Sequence, residues 1–289
     1  MSRLFEALQR SEPEGFAFEF PQPDSPLKEI VKAAEAAEPA PVEAREATSP
    51  VSVPLILSPG SRLVSLTDKN GLAAEKFRFL AVRLRQMRQS RAIQKLLITS
   101  TIPEEGKSMV SANIALTLAR KKSQTVLLLE GDLRRPVLAR EFGVKTNPGL
   151  CEWLLSGTTP LPVIYNLEQT GLCFLPAGHP PENPLELMQS NRLAELLTQL
   201  AASFDWIVID SPPVLPLGDT SVWMRLAEGI LLVAREGTTQ KRQLLRGLEA
   251  LDQSKLLGTV LNSCHAADHD NYYQHYGAAA QAQGSAPTK

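Results

Sequence analysis

Short apolar runs alternate with segments of helical periodicity along most of the chain. The apolar runs predict strands, and the segments between them repeat apolar residues every three or four positions, as helices do. The predicted strands cover residues 95–100, 125–130, 172–175, 206–210, 230–234 and 256–261. The predicted helices cover residues 72–88, 108–120, 191–203, 220–227 and 239–251. Apolar strands separated by helices indicate an α/β fold, a mostly parallel sheet with helices on both faces.

The two ends of the chain lack this pattern, so the sequence divides into three regions. Residues 1–60 hold nine of the 22 prolines and are rich in Glu and Ala, which predicts a disordered arm. The alternating pattern occupies residues 61–264, the predicted domain. Residues 265–289 are polar and predict a flexible tail, yet they contain three of the four tyrosines. Aromatic side chains have no core role in such a tail, which indicates a function for them.

Composition and charge exclude several classes of function. With a net charge of −1, the chain has no general attraction for polyanions, so we expect no nucleic-acid partner. The three cysteines are widely spaced and form no Cys-x-x-Cys pair, as in proteins of a reducing compartment. No apolar run reaches the ~20 residues that span a bilayer, and the start lacks a signal-peptide core. We therefore expect a cytoplasmic protein that a partner tethers to the membrane.

A phosphate-binding loop is predicted in residues 101–108, directly after the first predicted strand. The loop ends in Gly106, Lys107 and Ser108 and leads into a helix, which is the context that such loops require. Gly106 lets the backbone approach a phosphate, Lys107 reaches the β- and γ-phosphates, and Ser108 offers a hydroxyl to Mg²⁺. The alternative is a strand-to-helix turn whose lysine only solvates the helix end. We favour nucleotide binding, with Thr101 in place of the usual first glycine, through Thr101, Glu105, Gly106, Lys107, Ser108 and Met109.

Carboxylates at the ends of two predicted strands supply acidic partners for this loop. Asp210 ends an apolar strand that prolines stop at once, so we predict it as the Walker B acid that organises Mg²⁺. Glu130 and Asp132 follow another strand on alternate residues, so both can face one side of the sheet edge. Taken alone, this second pair is typical of a solvated loop with local ion pairs. Beside a phosphate loop and a Walker B acid, it favours a phosphoryl-transfer site.

Together these motifs resemble the bacterial tyrosine kinases of exopolysaccharide and capsule synthesis. The resemblance covers roughly residues 63–276 and lies in residues 101–108, 129–136, 175–184, 207–213 and 258–262. It implies a P-loop fold related to the partition and division-site ATPases. It also implies a protein-tyrosine kinase that uses ATP and Mg²⁺.

The resemblance implies roles for single residues. Lys107 and Ser108 bind the nucleotide phosphates, and Ser108 is also a Mg²⁺ ligand. Asp132, as the second acid of the Walker A′ motif, and Asp210, as the Walker B acid, hold the metal. Asn262 lies near the adenine base and completes the nucleotide-binding set.

Two positions depart from the family pattern. Glu130 stands where the family has an aspartate thought to activate the attacking tyrosine hydroxyl, so it joins the catalytic set of Lys107, Asp132 and Asp210. Its additional methylene group leaves the identity of the base open. Glu104 stands where glycine is common, and its charge is expected to lower nucleotide affinity.

The resemblance further implies autophosphorylation in trans within a ring of subunits. Rings of the family use a helix motif Glu-x-x-Arg-x-x-Arg, which this chain matches at Glu75 and Arg78, whereas the last position is Ala81. An amphipathic helix with a solvated charged face is the alternative for this segment. The implied phosphate acceptors are Tyr272, Tyr273 and Tyr276.

The expected partners are a separate transmembrane chain-length regulator, which activates the kinase at the inner face of the membrane, and a cognate tyrosine phosphatase. Two other functions stay open. A partition-type ATPase usually has a second lysine near the start of its phosphate loop, which residues 101–105 lack. A nucleotide-binding scaffold of a polysaccharide export complex, with weak catalysis, is the other alternative.

Overall fold

The computed structural model describes residues 50–57, 60–146, 148–156, 163–215 and 218–264. Its strands are β1 (Val51–Val53), β2 (Lys95–Ser100), β3 (Val126–Glu130), β4 (Tyr165–Leu167), β5 (Leu172–Leu175), β6 (Trp206–Asp210), β7 (Gly229–Arg235) and β8 (Leu256–Asn262). Its helices are α1 (Val64–Thr67), α2 (Leu72–Ser90), α3 (Lys107–Ala119), α4 (Leu138–Glu141), α5 (Leu150–Ser156), α6 (Pro184–Met188), α7 (Asn191–Ser203), α8 (Asp219–Leu226) and α9 (Lys241–Glu249). Within these ranges, no helix combines the length and the apolar character that crossing a membrane requires.

The strands of the described residues form one sheet in the order β1-β4-β5-β3-β6-β2-β7-β8. Neighbouring strands run parallel except for β4 and β5, which are antiparallel. The predicted α/β fold with a mostly parallel sheet is therefore confirmed. All six predicted strands are present, and their bounds differ from the prediction by one residue at most.

Each central strand contributes side chains to two apolar cores, one on each face of the sheet. In β2, Leu96 and Ile98 join the core that also contains residues of α2 and α3, whereas Leu97 joins the core that contains residues of α7 and α8. Strand β3 alternates in the same way, with Leu128 on the first face. Burying one such side chain contributes about 1.5–3 kcal/mol, so this alternation fixes the register of the strands.

The functional motifs meet at the carboxyl ends of the three central strands. Strand β6 lies between β3 and β2, and Glu130 at the end of β3 is the register partner of Asp210 at the end of β6. The phosphate loop (residues 101–108) follows β2 at the same edge. Parallel strands thus bring together loops that are far apart in sequence, as ligand sites of open α/β sheets require.

The outer side of the sheet contains two strands that the apolar pattern did not predict. Strand β1 pairs with β4, and Val51 N–H donates to Ile164 O at 2.8 Å. Both strands have three residues, too few for a recognisable alternation. The end of the region predicted as a disordered arm is therefore part of the sheet. Residues 1–49 lie outside the described residues, so the rest of that prediction stays a prediction.

Candidate active site

The backbone of the phosphate loop requires glycine at position 106. Gly106 has φ of 88°, in the left-handed region, and directly precedes α3. A Cβ atom there would lie 2.2 Å from Nδ2 of Asn262, which donates to the Glu105 carbonyl oxygen at 2.9 Å. The turn before α3 is therefore held in place by the Asn262 side chain. The first N–H groups of α3 are available to bind an anion.

The two glutamates of the loop have different roles. Glu105 is buried; its Oε2 accepts from Ile102 N–H at 2.8 Å and its Oε1 accepts from the Thr239 hydroxyl. Its side chain thus holds the shape of the loop, since both oxygens are engaged inside the protein. Glu104 is exposed and has φ of 67°, a conformation that costs a non-glycine residue about 1–3 kcal/mol.

Lys107 forms an ion pair with Asp132. The Nζ–Oδ2 distance is 2.8 Å, and the two side chains are 12% and 6% exposed. Burial lowers the pKa of Lys107, but the negative charges of Asp210 and Asp132 outweigh this effect, so the pKa is raised and the lysine is charged. The Oδ1 atom of Asp132 accepts from Arg135 N–H at 3.1 Å, which fixes the carboxylate beside the loop.

Asp210 is almost completely buried. Its Oδ1 accepts from the Ser111 hydroxyl at 3.1 Å, whereas its Oδ2 has no hydrogen-bond partner among the described residues. Burial raises the pKa of Asp210, and the charge of Lys107 and the hydroxyls of Ser108 and Ser111 offset this only in part. A buried carboxylate oxygen without a donor, near the Ser108 hydroxyl, suits hydrated Mg²⁺, which prefers oxygen ligands. The residues present therefore fit this ion.

Glu130 is held by backbone groups. Its Oε1 accepts from Leu138 N–H at 2.5 Å and its Oε2 from Ala177 N–H at 3.1 Å. Burial raises the pKa of Glu130, and these N–H groups lower it only in part. Both carboxylate oxygens are thus occupied by the segments that follow β3 and β5.

Three contacts that position the acidic loop after β3 were not predicted. Trp223 Nε1 donates to the Gly131 carbonyl oxygen at 3.0 Å, and Gly131 N–H donates to the Asp210 carbonyl oxygen at 2.7 Å. Arg134 Nε donates to the buried Asp219 at 2.6 Å. A glycine between two acids and a tryptophan shortly after the Walker B strand were the available signals, but only the fold shows that they touch.

A cavity of about 660 Å³ lies beside the phosphate loop. Of the predicted site residues, the structure places five on its wall: Gly106, Lys107, Ser108, Met109 and Asp132. The lining does not include the other predicted residues, Thr101, Glu105, Glu130, Asp210 and Asn262. Thr101 is fully buried, and Asn262 lines a second cavity of about 450 Å³ between α2 and β8. The remaining wall of the first cavity consists of Gly60, Arg62, Pro103, Glu104, Arg134, Arg135, Val137, Arg140, Glu141 and Pro213.

The predicted ring motif forms contacts within the chain. Arg78 Nε donates to Glu75 at 2.8 Å, and Arg78 Nη1 donates to the Lys69 carbonyl oxygen at 2.7 Å. Ala81, at the position of the last arginine of the motif, is fully buried. The predicted phosphate acceptors, Tyr272, Tyr273 and Tyr276, lie outside the described residues.

No family model matches the chain. It is 32% identical over 219 residues to the tyrosine-protein kinase YwqD of Bacillus subtilis. This match covers 74% of this chain and 92% of the relative. It is 34% identical over 206 residues to the putative tyrosine-protein kinase CapB of Staphylococcus aureus, covering 71% of this chain and 90% of the relative. Other curated relatives are longer, and the match spans 27–30% of their length.

The fold is likewise similar to solved kinase structures. The kinase domain of the Escherichia coli tyrosine kinase ETK superposes with a TM-score of 0.65 at 28% identity. The superposition covers 71% of this chain and 82% of that one.

Proposed function

The chain belongs to the bacterial tyrosine kinases, and we propose that it transfers the γ-phosphoryl group of ATP to the tyrosines of its own C-terminal tail, in trans. The observation that carries this proposal is that Lys107, Ser108 and Asp132 lie on the wall of one cavity. Asp210 is buried nearby and accepts a hydrogen bond from the Ser111 hydroxyl. A lysine, a hydroxyl and carboxylates around a helix start are what phosphoryl transfer from a nucleotide needs.

In this proposal the phosphate loop binds ATP. The N–H groups at the start of α3 and the charged Lys107 would hold the phosphates, while Ser108 and Asp210 would hold Mg²⁺. When bound, Mg²⁺ neutralises charge on the transferred phosphoryl group. Lys107 exchanges its ion pair with Asp132 for the phosphates, which frees the Asp132 carboxylate at the moment when the nucleotide is in place.

The geometry favours Asp132 over Glu130 as the base. Asp132 lines the cavity and loses its cation to the nucleotide, whereas both oxygens of Glu130 accept backbone hydrogen bonds. A general base must come within hydrogen-bond reach of the proton that it takes. We therefore propose that Asp132 accepts the proton of the attacking tyrosine hydroxyl. Glu130 connects the segments after β3 and β5 through its backbone hydrogen bonds.

The tail tyrosines are the proposed acceptors because the remaining tyrosine is inaccessible. Tyr165 lies in β4 and is only 7% exposed. The other three tyrosines, Tyr272, Tyr273 and Tyr276, follow the last strand within a short stretch. Phosphorylation would add about −1.5 to −2 charge per tyrosine to this stretch of the tail.

We place this activity in exopolysaccharide or capsule export at the membrane. One relative, 34% identical, is the succinoglycan biosynthesis transport protein ExoP of Rhizobium meliloti, and the match spans 27% of its length. A transmembrane chain-length regulator as activator, a cognate tyrosine phosphatase and a ring of subunits complete the proposal. For the ring, Glu75 and Arg78 would have to exchange their mutual contact for contacts with a neighbour.

The test is the formation of phosphotyrosine in purified protein incubated with MgATP. The intact chain, with the cytoplasmic segment of the activator supplied, should become phosphorylated on its tail. Lys107→Ala should abolish the signal, and so should replacement of the three tail tyrosines by Phe. ATP hydrolysis without phosphotyrosine would favour the partition-type ATPase, and the absence of both would favour the scaffold.

A further inference from the structure

We propose that Arg62, Arg135 and Arg140 of the active-site cavity bind the aspartates Asp268 and Asp270, which precede the acceptor tyrosines in the tail. The kinase would then select tyrosines with acidic residues on their N-terminal side. This inference rests on the proposed function and adds to it a substrate preference and the residues that produce it.

The three arginines are available for a ligand. They line the cavity from three different segments: Arg62 precedes α1, Arg135 follows β3, and Arg140 lies in α4. Within the described part of the chain, none of their side chains forms a hydrogen bond or an ion pair. Arg134, by contrast, donates through Nε and Nη2 to Asp219. Arginine side chains that line one cavity and have no acidic partner are able to bind carboxylates.

Besides the three arginines, the charged side chains on the cavity wall are Lys107, Asp132, Arg134, Glu104 and Glu141. Lys107 and Asp132 neutralise each other beside the phosphate loop. Arg135 is next to this pair, because its N–H donates to Asp132 at 3.1 Å. An acidic residue bound to Arg135 would therefore place a nearby tyrosine hydroxyl close to Asp132, the proposed base.

The tail is the occupant that the charge pattern favours. Within residues 265–289, Asp268 and Asp270 are the only acidic residues, and Lys289 at the far end is the only Lys or Arg. Five basic and three acidic side chains line the cavity, so its net charge is positive and complements the negative segment before the tyrosines.

The tail begins beside the active site of its own subunit, and we propose that it extends from there to the cavity of a neighbouring subunit. Strand β8 ends at Asn262, whose side chain contacts the phosphate loop, so the chain leaves the sheet at the edge that carries the active site. The eight residue steps from Cys264 to Tyr272 span at most ~26–29 Å when extended. Asp268, Asp270 and Tyr272 occupy every second position, so they would share one side of the segment if it bound in an extended conformation.

The experiment uses the full chain with its three tail tyrosines replaced by Phe, and a peptide of residues 265–280 as the substrate. Arg135→Gln/Arg140→Gln is compared with the unmodified arginines and with Arg120→Gln, an exposed arginine at the other end of α3. Each enzyme is assayed with the natural peptide and with a peptide carrying Asp268→Asn and Asp270→Asn.

We expect the double arginine variant to lower kcat/KM for the natural peptide about tenfold, mainly through KM for the peptide, with KM for ATP unchanged. The Asn peptide should show the same loss with the unmodified enzyme and no further loss with the variant. Arg120→Gln should match the unmodified enzyme on both peptides.

Three results would overturn the inference. Equal rates on the two peptides would show that the aspartates are not recognised. A raised KM for ATP in the arginine variant would show that the arginines bind the nucleotide instead. If the losses in kcat/KM from the arginine variant and from the Asn peptide are additive, the arginines and the aspartates do not interact. If the unmodified enzyme phosphorylates neither peptide with MgATP and the cytoplasmic segment of the activator, the proposed kinase function itself fails, and the inference fails with it.

Discussion

Replacement of Gly106 by Ala tests how the phosphate loop is built. The substitution has two separate effects in the structure. A left-handed φ of 88° is unfavourable for alanine, and the new Cβ atom would lie 2.2 Å from Nδ2 of Asn262. Asn262 would have to move and would lose its 2.9 Å hydrogen bond to the Glu105 carbonyl oxygen.

The expected cost follows from these two effects. The left-handed conformation costs alanine about 1–2 kcal/mol, and the lost hydrogen bond costs about 1 kcal/mol. Gly106→Ala should therefore lower the free energy of unfolding by about 2–3 kcal/mol, which lowers Tm by about 4–12 °C in a domain of this size. In an Asn262→Ala background the clash is absent, so the same substitution should cost only about 1–2 kcal/mol.

The assay is urea unfolding of four proteins without nucleotide: the natural chain, the two single variants and the double variant. Nucleotide is left out because a ligand that binds the folded state adds its own stabilisation. An equal cost of Gly106→Ala in both backgrounds, within about 0.5 kcal/mol, would refute the contact between Gly106 and Asn262. No cost in either background would refute the strained turn as well.

Further predictions concern the acidic loop and the charge of the phosphate loop. Asp132→Asn should lower kcat for tyrosine phosphorylation by about 10²–10⁴, whereas Glu130→Gln should stay within about tenfold; the reverse order would make Glu130 the base. Glu104→Gly should raise Tm, because it removes about 1–3 kcal/mol of strain, and should lower Kd for MgATP in a titration; an unchanged Tm and Kd would contradict this. Gly131→Ala should lower kcat, because its Cβ would lie 2.8 Å from the ring of Trp223 and displace Asp132; full activity at unchanged Tm would show that the loop tolerates the shift.

The sequence was sufficient for the mostly parallel α/β sheet and for the position of the predicted phosphate loop at its edge. Apolar runs of five or six residues predicted the central strands. Asp210 ends one of them, two residues before Pro212, which identified the edge of the sheet where it lies. A loop of fixed spacing then placed Lys107 and Ser108. These features are local, so they can be read without the fold.

The contacts that assign roles were not predictable, because they join distant parts of the chain. Glu130 accepts from Ala177, 47 residues away, and Asn262 donates to Glu105, 157 residues away. No spacing rule connects such pairs. The structure therefore shows Asn262 as a brace of the loop, while its predicted place near adenine stays a prediction.

The ring prediction illustrates a different limit. A helix motif indicates which residues share a face, but the burial of Ala81 depends on what packs against α2. Arg85, an alternative to the missing arginine, donates to Gln124 and to the Leu118 carbonyl oxygen at 3.1 Å each. A ring would therefore have to use Arg83, which is exposed, or another surface.

The central claim is transfer of phosphate from ATP to the tail of another subunit. Its most direct test mixes two forms of the chain with MgATP and the cytoplasmic segment of the activator. One form is Lys107→Ala with its tyrosines intact, and the other has the natural phosphate loop with Tyr272, Tyr273 and Tyr276 replaced by Phe. Neither form can modify itself, and mass spectrometry can distinguish their tails. The account predicts phosphotyrosine on the tail of the Lys107→Ala chain only in the mixture. A tail that stays unmodified in the mixture, while the natural chain becomes phosphorylated, would contradict transfer in trans, and a natural chain without phosphotyrosine would contradict the kinase function of the site.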